Sequence, residues 1–308
     1  MFSKDFLINK IPAANPGKIG LFGSDYQAGK QSFIKSLFDY LEKTGTETWV
    51  EKSFRDYLSR TFAFTPRIDG VIDGEDFLPD MVFSLGGDGT FLRTAAWVGR
   101  RNIPILGINT GRLGFLADVG VSEINETLEE VFRGDYRLEE KSLLQLESSA
   151  QEQRRTALNE IAVLKRDTAS MISIYTYLND VFLTEYLADG LLLATPTGST
   201  AYNLSVNGPI IVPQSCNFVL SPVAPHSLNV RPLVIPEDYT IRLQVESRNR
   251  NFLVSLDGRS EVFPSGSEFR IQKADFTIKV VKRFNQNFYD TLRKKLLWGT
   301  DARKHPTG

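Results

Sequence analysis

The sequence contains very little cysteine and histidine. Its 308 residues include one cysteine, Cys216, and two histidines, His226 and His305. A single cysteine excludes an internal disulfide, and so few thiols and imidazoles exclude a zinc site or a histidine-rich metal centre.

Long apolar runs and an excess of basic charge are also missing. No run approaches the ~20 apolar residues that span a bilayer, and the first residues lack the ~7–15-residue apolar stretch of a signal peptide. The 36 Lys and Arg against 37 Asp and Glu leave a net charge of −1, whereas nucleic-acid-binding domains are usually strongly basic. We therefore expect a cytoplasmic protein with neither a membrane nor nucleic acid as partner.

The length and pattern of the chain predict two domains, at ~150 residues per domain. In the first third, short apolar runs alternate with amphipathic stretches, which predicts an α/β domain with a parallel sheet over residues 1–136. The predicted strands are 19–22, 47–50, 81–85 and 104–108, and the predicted helices are 27–43 and 90–99.

From about residue 137 the chain consists of short segments rich in β-branched and aromatic residues, which predicts a β-rich, sandwich-like domain over 137–284. The predicted strands are 156–164, 172–178, 182–186, 191–194, 241–246, 252–256, 268–271 and 276–281. Asn179-Asp180 fits a tight hairpin turn. Residues 285–308 contain a predicted helix, 288–298, that returns to the first domain.

A glycine-rich loop, Gly86-Gly87-Asp88-Gly89-Thr90, separates a predicted strand from a predicted helix. Glycines permit close approach of a ligand to the backbone and positive φ where it is needed, and the N-terminus of the helix favours phosphate. An acid beside phosphate is unfavourable unless it orients a hydroxyl for phosphoryl transfer or helps to hold a cation. The alternative is a tight turn with Asp88 as helix cap.

A second glycine-bearing segment, residues 23–31, does not match a P-loop. Five residues rather than four separate Gly23 from Gly29, and Gln31 stands where the motif needs Ser or Thr. The sequence has no G-x-G-x-x-G fingerprint either, so we interpret this segment as a loop and helix start.

Two further segments carry polar groups in apolar surroundings. Residues 189–202 run from Asp189 through a predicted buried strand into small hydroxyl residues and Tyr202, which could hydrogen-bond an adenine or a ribose. Asn159-Glu160 places an amide and a carboxylate within an apolar strand, where burial is costly without partners. A ribose diol would satisfy such a pair, as would a structural network.

Together these residues resemble the NAD kinases, over nearly the whole chain from about Lys18. The matching segments, in the family's order, are Gly86-Gly87-Asp88-Gly89-Thr90, Asn109-Thr110-Gly111-Arg112-Leu113-Gly114-Phe115-Leu116, Asn159-Glu160, Asp189-Gly190, residues 195–202, Pro225-His226-Ser227-Leu228 and Arg231-Pro232-Leu233. The glycine-rich block alone is shared with lipid kinases and phosphofructokinases. The resemblance implies a Rossmann-like first domain and transfer of the terminal phosphate of ATP to the 2′-hydroxyl of the adenosine ribose of NAD.

The resemblance also implies roles for individual residues. Asp88 would be the catalytic proton acceptor, and the phosphate-binding residues would be Gly86, Gly87, Gly89 and Thr90. The NAD-binding residues would be Asp88, Gly89, Arg93, Asn159, Glu160, Ser170, Asp189, Thr200, Ala201, Tyr202, Asn203, Leu204, Ser205, Ala224 and Arg259. A divalent cation, expected to be Mg²⁺, would be held largely by phosphates and water. The NAD site is expected in a cleft between the domains of a homodimer or homotetramer.

Two positions depart from the family pattern. Leu187 stands where many relatives carry a basic residue, so a dinucleotide contact is lost or supplied elsewhere, including from a neighbouring subunit. Arg259 stands where many relatives carry Gln, and it either strengthens a phosphate contact or points outward. We expect His226 to be a structural, hydrogen-bonded residue and His305 to lie on the surface of the tail.

Two other functions stay open on the sequence alone. A lipid kinase of the diacylglycerol type shares the glycine-rich loop, but it needs a basic or amphipathic membrane-binding surface. The near-neutral charge and the lack of an obvious amphipathic anchor count against this alternative. A non-catalytic dinucleotide sensor would use the same pocket, but it would gain little from the acid at Asp88.

Overall fold

The computed structural model describes residues 16–25, 29–62, 66–74, 76–148, 151–166 and 170–299, with backbone only at 151–154. The chain forms two compact units, Met1–Glu140 with Ile278–Gly308 and Lys141–Thr277. The sequence places these divisions after residues 136 and 284. Within the described ranges, no helix combines the length and apolar character needed to cross a bilayer.

The first unit is built on a parallel sheet of order β3-β2-β1-β4-β5. Its strands are β1 (Lys18–Gly23), β2 (Glu47–Glu51), β3 (Gly70–Ile72), β4 (Met81–Gly86), β5 (Ile105–Asn109) and the short β6 (Val119–Gly120), and its first four helices are α1 (Gln31–Lys43), α2 (Lys52–Thr61), α3 (Asp88–Val98) and α4 (Ile124–Arg133). All six residues of β4 are buried, as expected for a strand covered on both faces. The parallel α/β prediction is confirmed.

Helix α1 follows the predicted pattern, since Phe33, Ile34, Leu37, Phe38 and Leu41 are its buried residues. It begins at Gln31 rather than at residue 27, and residues 27 and 28 of the predicted helix lie outside the described part of the chain. Helices α2 and α4 were not predicted.

The second unit is an antiparallel sandwich, as predicted. Its elements are β7 (Arg137–Ser148), β8 (Gln151–Ala157), β9 (Glu160–Lys165), β10 (Ile172–Leu178), β11 (Val181–Ala188), β12 (Gly190–Ala194), the helical turn α5 (Tyr202–Ser205), β13 (Asn217–Val223), β14 (Leu233–Pro236), β15 (Ile241–Glu246), β16 (Asn251–Leu256), β17 (Arg259–Pro264) and β18 (Glu268–Lys282). One layer has the order β11-β10-β15-β18 and the other β14-β13-β12-β9-β16-β17. Buried apolar residues from both layers, such as Ile174 and Val254, form one core.

Three details of the second unit concern the predicted strands. Asn179 and Asp180 have φ of 49° and 63°, so the predicted tight turn between β10 and β11 is confirmed. The predicted strands 268–271 and 276–281 are one continuous strand, β18. The predicted strand 156–164 is two strands, because the chain leaves the ladder between β8 and β9.

Helix α6 (Phe288–Leu296) follows β18 and belongs to the first unit. Asn287 caps it by accepting the backbone N–H of Asp290 at 3.0 Å. The rings of Phe288 and Phe115 lie 6.0 Å apart, which places α6 against the loop that follows β5. His305 lies outside the described residues.

Candidate functional site

Asp88 lies at the start of α3, and its carboxylate is held in place mainly by hydrogen bonds from backbone N–H groups. Its Oδ2 accepts the N–H of Phe115, and its Oδ1 accepts the N–H groups of Leu116 and Ala117, each at 3.0 Å. Lys295 of α6 lies 3.3 Å from Oδ2. The N-cap of α3 is Gly87, so the alternative that Asp88 caps the helix is wrong.

The loop that holds Asp88 is itself organised by Asn109, which is 4% exposed. Its amide nitrogen donates to the carbonyls of Arg112 at 2.6 Å and Ala117 at 3.0 Å, and its Oδ1 accepts the N–H of Gly111 at 2.7 Å. These bonds fold residues 109–117 back toward α3. The segment matched as a family motif therefore positions the acid.

The glycines of the loop 86–89 differ in what requires them. None of the three has a positive φ, so backbone conformation does not require glycine here. A Cβ at Gly86 would lie 2.3 Å from Oγ1 of the buried Thr90, whereas a Cβ at Gly87 or Gly89 would meet nothing within 4 Å. Packing inside the protein therefore explains Gly86, and the space beside Gly87 and Gly89 is open to a ligand.

Arg93 projects from α3 toward β1 and donates to the carbonyl of Gly23 at 2.9 Å. It lines a cavity of about 580 Å³ whose charged residues are Glu51, Lys52, Asp56, Asp73 and Arg93. Three acids against two cations make this cavity a poor site for a polyphosphate.

In the second unit, Asn159 and Glu160 lie at the break between β8 and β9. The carboxylate of Asp257 accepts the N–H groups of Leu158 at 2.8 Å, Asn159 at 2.8 Å and Glu160 at 3.2 Å. Asp257 has a φ of 48° and forms, with Gly258, the two-residue turn between β16 and β17. It fixes a segment that lies about a hundred positions earlier in the chain.

Two buried polar atoms at this break have no hydrogen-bond partner among the described residues, Asn159 Oδ1 and Glu160 Oε2. Burial, and secondly the charge of Asp257, raise the pKa of Glu160 to about 7, against the opposing hydrogen bond from the Tyr202 backbone. Because unpaired buried acceptors are costly, these two atoms indicate a site that accepts a hydrogen-bond donor.

The segment that includes Thr200, Ala201, Tyr202, Asn203, Leu204 and Ser205 approaches the same break. Thr195 Oγ1 donates to the Leu158 carbonyl at 2.6 Å, and a Cβ at Gly198 would lie 2.0 Å from the Asn159 carbonyl oxygen. Asn203 is fully buried and bonds inward, to Ser199 and Pro209 carbonyls and to the Ser221 hydroxyl. Its side chain therefore supports the segment, while Tyr202 is 37% exposed.

Asp189 is paired with Lys165, whose Nζ lies 2.6 Å from Oδ1. Leu187 is 41% exposed and, with Ser170 and Arg248, lines a cavity of about 610 Å³. Two basic residues therefore lie near the position where many relatives carry a basic residue and this chain has Leu187. Lys165 pairs with Asp189, and Arg248 lines the same cavity as Leu187.

The remaining predicted positions are on loops of the second unit. Ala224 has a φ of 44°, an uncommon backbone conformation for alanine that often marks functional sites. The Arg259 guanidinium donates to the carbonyls of Leu256 and Thr156, each at 3.2 Å, so it lies along the backbone. His226 is exposed, and its backbone N–H donates to the Leu187 carbonyl at 2.9 Å.

Sequence reasoning missed Asp257 and Lys295. Asp257-Gly258 is a typical two-residue hairpin signal, which could have located the turn but not its bonds to residues 158–160. Nothing in the local sequence marks Lys295 among the basic residues of α6.

Comparisons with known proteins agree with the motifs. The ATP-NAD kinase N-terminal domain matches residues 19–136, and the ATP-NAD kinase C-terminal domain matches residues 158–283. An NAD kinase of Bacteroides fragilis is 54% identical over 288 residues, 93% of this chain and 99% of the relative. One of Porphyromonas gingivalis is 48% identical over 286 residues, with the same coverage.

Two solved structures share the fold. A yeast NADH kinase complexed with NADH has a TM-score of 0.85 at 23% identity and covers 94% of this chain and 91% of that one. An NAD kinase from Archaeoglobus fulgidus in complex with ATP has a TM-score of 0.70 at 27% identity, covering 91% and 98%. Given these matches over both units, the chain belongs to the NAD kinase family.

Proposed function

We propose that the chain transfers the terminal phosphate of ATP to the 2′-hydroxyl of the adenosine ribose of NAD, giving NADP and ADP, with Asp88 as proton acceptor. The observation that carries this proposal is the fixing of the Asp88 carboxylate by three backbone N–H groups beside open glycines. The 2′-oxygen forms a bond to the terminal phosphorus, the bond from that phosphorus to the bridging oxygen breaks, and the hydroxyl proton passes to Asp88.

Gly87 and Gly89 are the proposed phosphate contacts, because their surroundings are open and the positive end of the α3 dipole lies there. Gly86 and Thr90 support them by packing against each other. Within the described ranges, no group of three His, Cys, Asp or Glu side chains could hold a metal ion. The expected divalent cation would be held largely by the phosphates and water, where it would supply positive charge.

The proposed NAD contacts of the second unit centre on Asn159 and Glu160. Ribose hydroxyls would donate to Asn159 Oδ1 and Glu160 Oε2, and so satisfy the two unpartnered atoms. Tyr202 is the exposed ring of the neighbouring turn and is the proposed contact for the adenine. The remaining proposed NAD contacts are the other positions that the family resemblance implies: Gly89, Arg93, Ser170, Asp189, Thr200, Ala201, Asn203, Leu204, Ser205, Ala224 and Arg259.

The relatives support the choice of reaction. Both chain halves match NAD kinase domains, and the solved relatives hold NADH in one case and ATP in the other. We also propose a cytoplasmic location and a homodimer or homotetramer, whose mass light scattering would measure.

The test is Asp88→Asn, which keeps the shape of the side chain and removes its charge. We expect NADP formation from NAD, ATP and Mg²⁺ to fall by ~10²–10⁴, the usual contribution of a general base, while calorimetry still detects NAD binding. The melting temperature should fall, because the amide nitrogen of Asn cannot accept a backbone N–H as the carboxylate oxygens do. Near-full turnover by the variant would refute the role of Asp88.

The two alternatives are tested with the unaltered chain. NAD binding without any NADP formation would favour a sensor, and phosphorylation of diacylglycerol in vesicles in preference to NAD would favour a lipid kinase.

A further inference from the structure

Lys295 of α6 reaches the proposed proton acceptor from 207 positions away in the chain. Its Nζ lies 3.3 Å from Asp88 Oδ2 and 4.5 Å from the centroid of the Phe115 ring. The Phe115–Phe288 ring contact holds α6 against the same loop. The ammonium is therefore placed at the carboxylate by a built contact between α6 and residues 109–117.

The contacts of Asp88 account for its whole capacity as an acceptor. A carboxylate has about four lone-pair positions. Leu116 and Ala117 take those of Oδ1, Phe115 takes one of Oδ2, and Lys295 takes the other. A hydroxyl that is to give its proton to Asp88 must therefore displace one of these four donors.

Only one of the four donors can leave at low cost. The three backbone donors belong to a loop tied internally by Asn109. Lys295 is bound at the longer distance, its side chain is 30% exposed, and its four-carbon stem is flexible. Lys295 is therefore the donor that an incoming hydroxyl displaces.

We propose that Lys295 leaves Asp88 Oδ2 when the acceptor hydroxyl arrives and binds the terminal phosphate of the donor nucleotide. This inference rests on the proposed role of Asp88. In a reactive arrangement the hydroxyl oxygen lies ~3–3.5 Å from the phosphorus and within hydrogen-bond distance of Oδ2. An ammonium released from Oδ2 then has the phosphate oxygens within the reach of its stem, and it offsets their repulsion with the carboxylate.

Binding of the Mg²⁺ complex of ATP without NAD tests the exchange. In the unaltered chain Asp88 retains Lys295, so Lys295→Met weakens nucleotide binding by no more than about twofold. In Asp88→Asn the lysine is free, so adding Lys295→Met weakens binding by about tenfold, typical of a lost charged hydrogen bond to phosphate. An equal effect of Lys295→Met in both backgrounds overturns the proposal.

Kinetics separate this role from a structural one. Lys295→Met raises the KM for ATP and lowers kcat while NAD affinity and melting temperature are unchanged, and Lys295→Arg recovers part of the activity. Lys294→Met, at the exposed neighbouring position of α6, is the matched control and leaves the kinetics unchanged. A lower melting temperature with equal losses for both substrates also overturns the proposal.

The two proposals fail differently. Full turnover by Asp88→Asn would refute the proposed role of Asp88, whatever the result of the ATP-binding experiment. If Asp88→Asn is inactive but Lys295→Met has the same ATP kinetics as the unaltered chain, the proposed role of Asp88 stands. Only the proposed movement of Lys295 from Asp88 to the phosphate is then refuted.

Discussion

Asp257 accepts the backbone N–H of Glu160 at 3.2 Å and, at the same time, its charge helps to raise the pKa of the Glu160 side chain to about 7. Burial is the larger cause of the shift. Asp257 thus fixes the backbone at the break between β8 and β9 and also contributes to the raised pKa of Glu160. Glu160 consequently changes its protonation state near neutral pH.

The first prediction is that NAD binding tightens as the pH rises from 6 to 8. Ribose hydroxyls donate to Glu160 in the proposed complex, so binding favours the ionised form and lowers its pKa. Calorimetric titration of NAD at several pH values measures this dependence. Glu160→Gln should remove it, and an unchanged pH profile in that variant would contradict the role assigned to Glu160.

The second prediction concerns the free energy of unfolding. The folded-state pKa of Glu160, about 7, is above its ordinary value of 4.5. The folded chain therefore binds more protons than the unfolded chain between these values, and the associated stability is lost as the pH rises through 7. At 1.36 kcal/mol per pKa unit, the stability lost between pH 4.5 and a pH just above 7 is about 3 kcal/mol.

Glu160→Gln should remove that loss. Urea unfolding at pH 8 should show the variant to be more stable than the unaltered chain, and the difference should shrink toward pH 5. A stability difference that is the same at both pH values would show that ionisation of Glu160 is not its cause.

The sequence predicts most of the secondary structure but fewer of the contacts that build the candidate site. Local periodicity locates most strands and α1, because apolar alternation and helical spacing are properties of neighbouring residues. The break at Leu158-Asn159 is not visible that way, since three consecutive N–H groups turn to Asp257, a residue far along the chain. Motif spacing places Asp88 at the loop, but only the fold brings Lys295 to it.

The third prediction tests the loop that holds Asp88. A Cβ at Gly114 would lie 2.0 Å from Asp88 Oδ1, whereas a Cβ at Gly111 would meet nothing within 4 Å. Gly114→Ala should therefore displace the carboxylate and lower kcat by ~10²-fold, as a misplacement of about 1 Å can do. Gly111→Ala is the matched control. Equal activity of the two variants would contradict the need for this close approach.

The fourth prediction concerns a buried ion pair beside the same loop. Lys282 Nζ lies 2.5 Å from Asp118 Oδ2, with side-chain exposures of 8% and 10%. Burial raises the pKa of Asp118, and Lys282 opposes that shift. Lys282→Met should destabilise the chain by about 3–5 kcal/mol at pH 8, because it leaves an unpaired buried carboxylate.

The pH dependence of that loss identifies its cause. Without Lys282 the pKa of Asp118 rises further, so protonation at low pH should recover part of the stability. Urea unfolding of Lys282→Met at pH 8 and pH 5 measures the recovery, and the double variant with Asp118→Asn should be more stable than Lys282→Met at pH 8. Lys279→Met, on the same strand β18, is the control for the loss of a positive charge. If it costs as much as Lys282→Met, the pair is not the source of the stability.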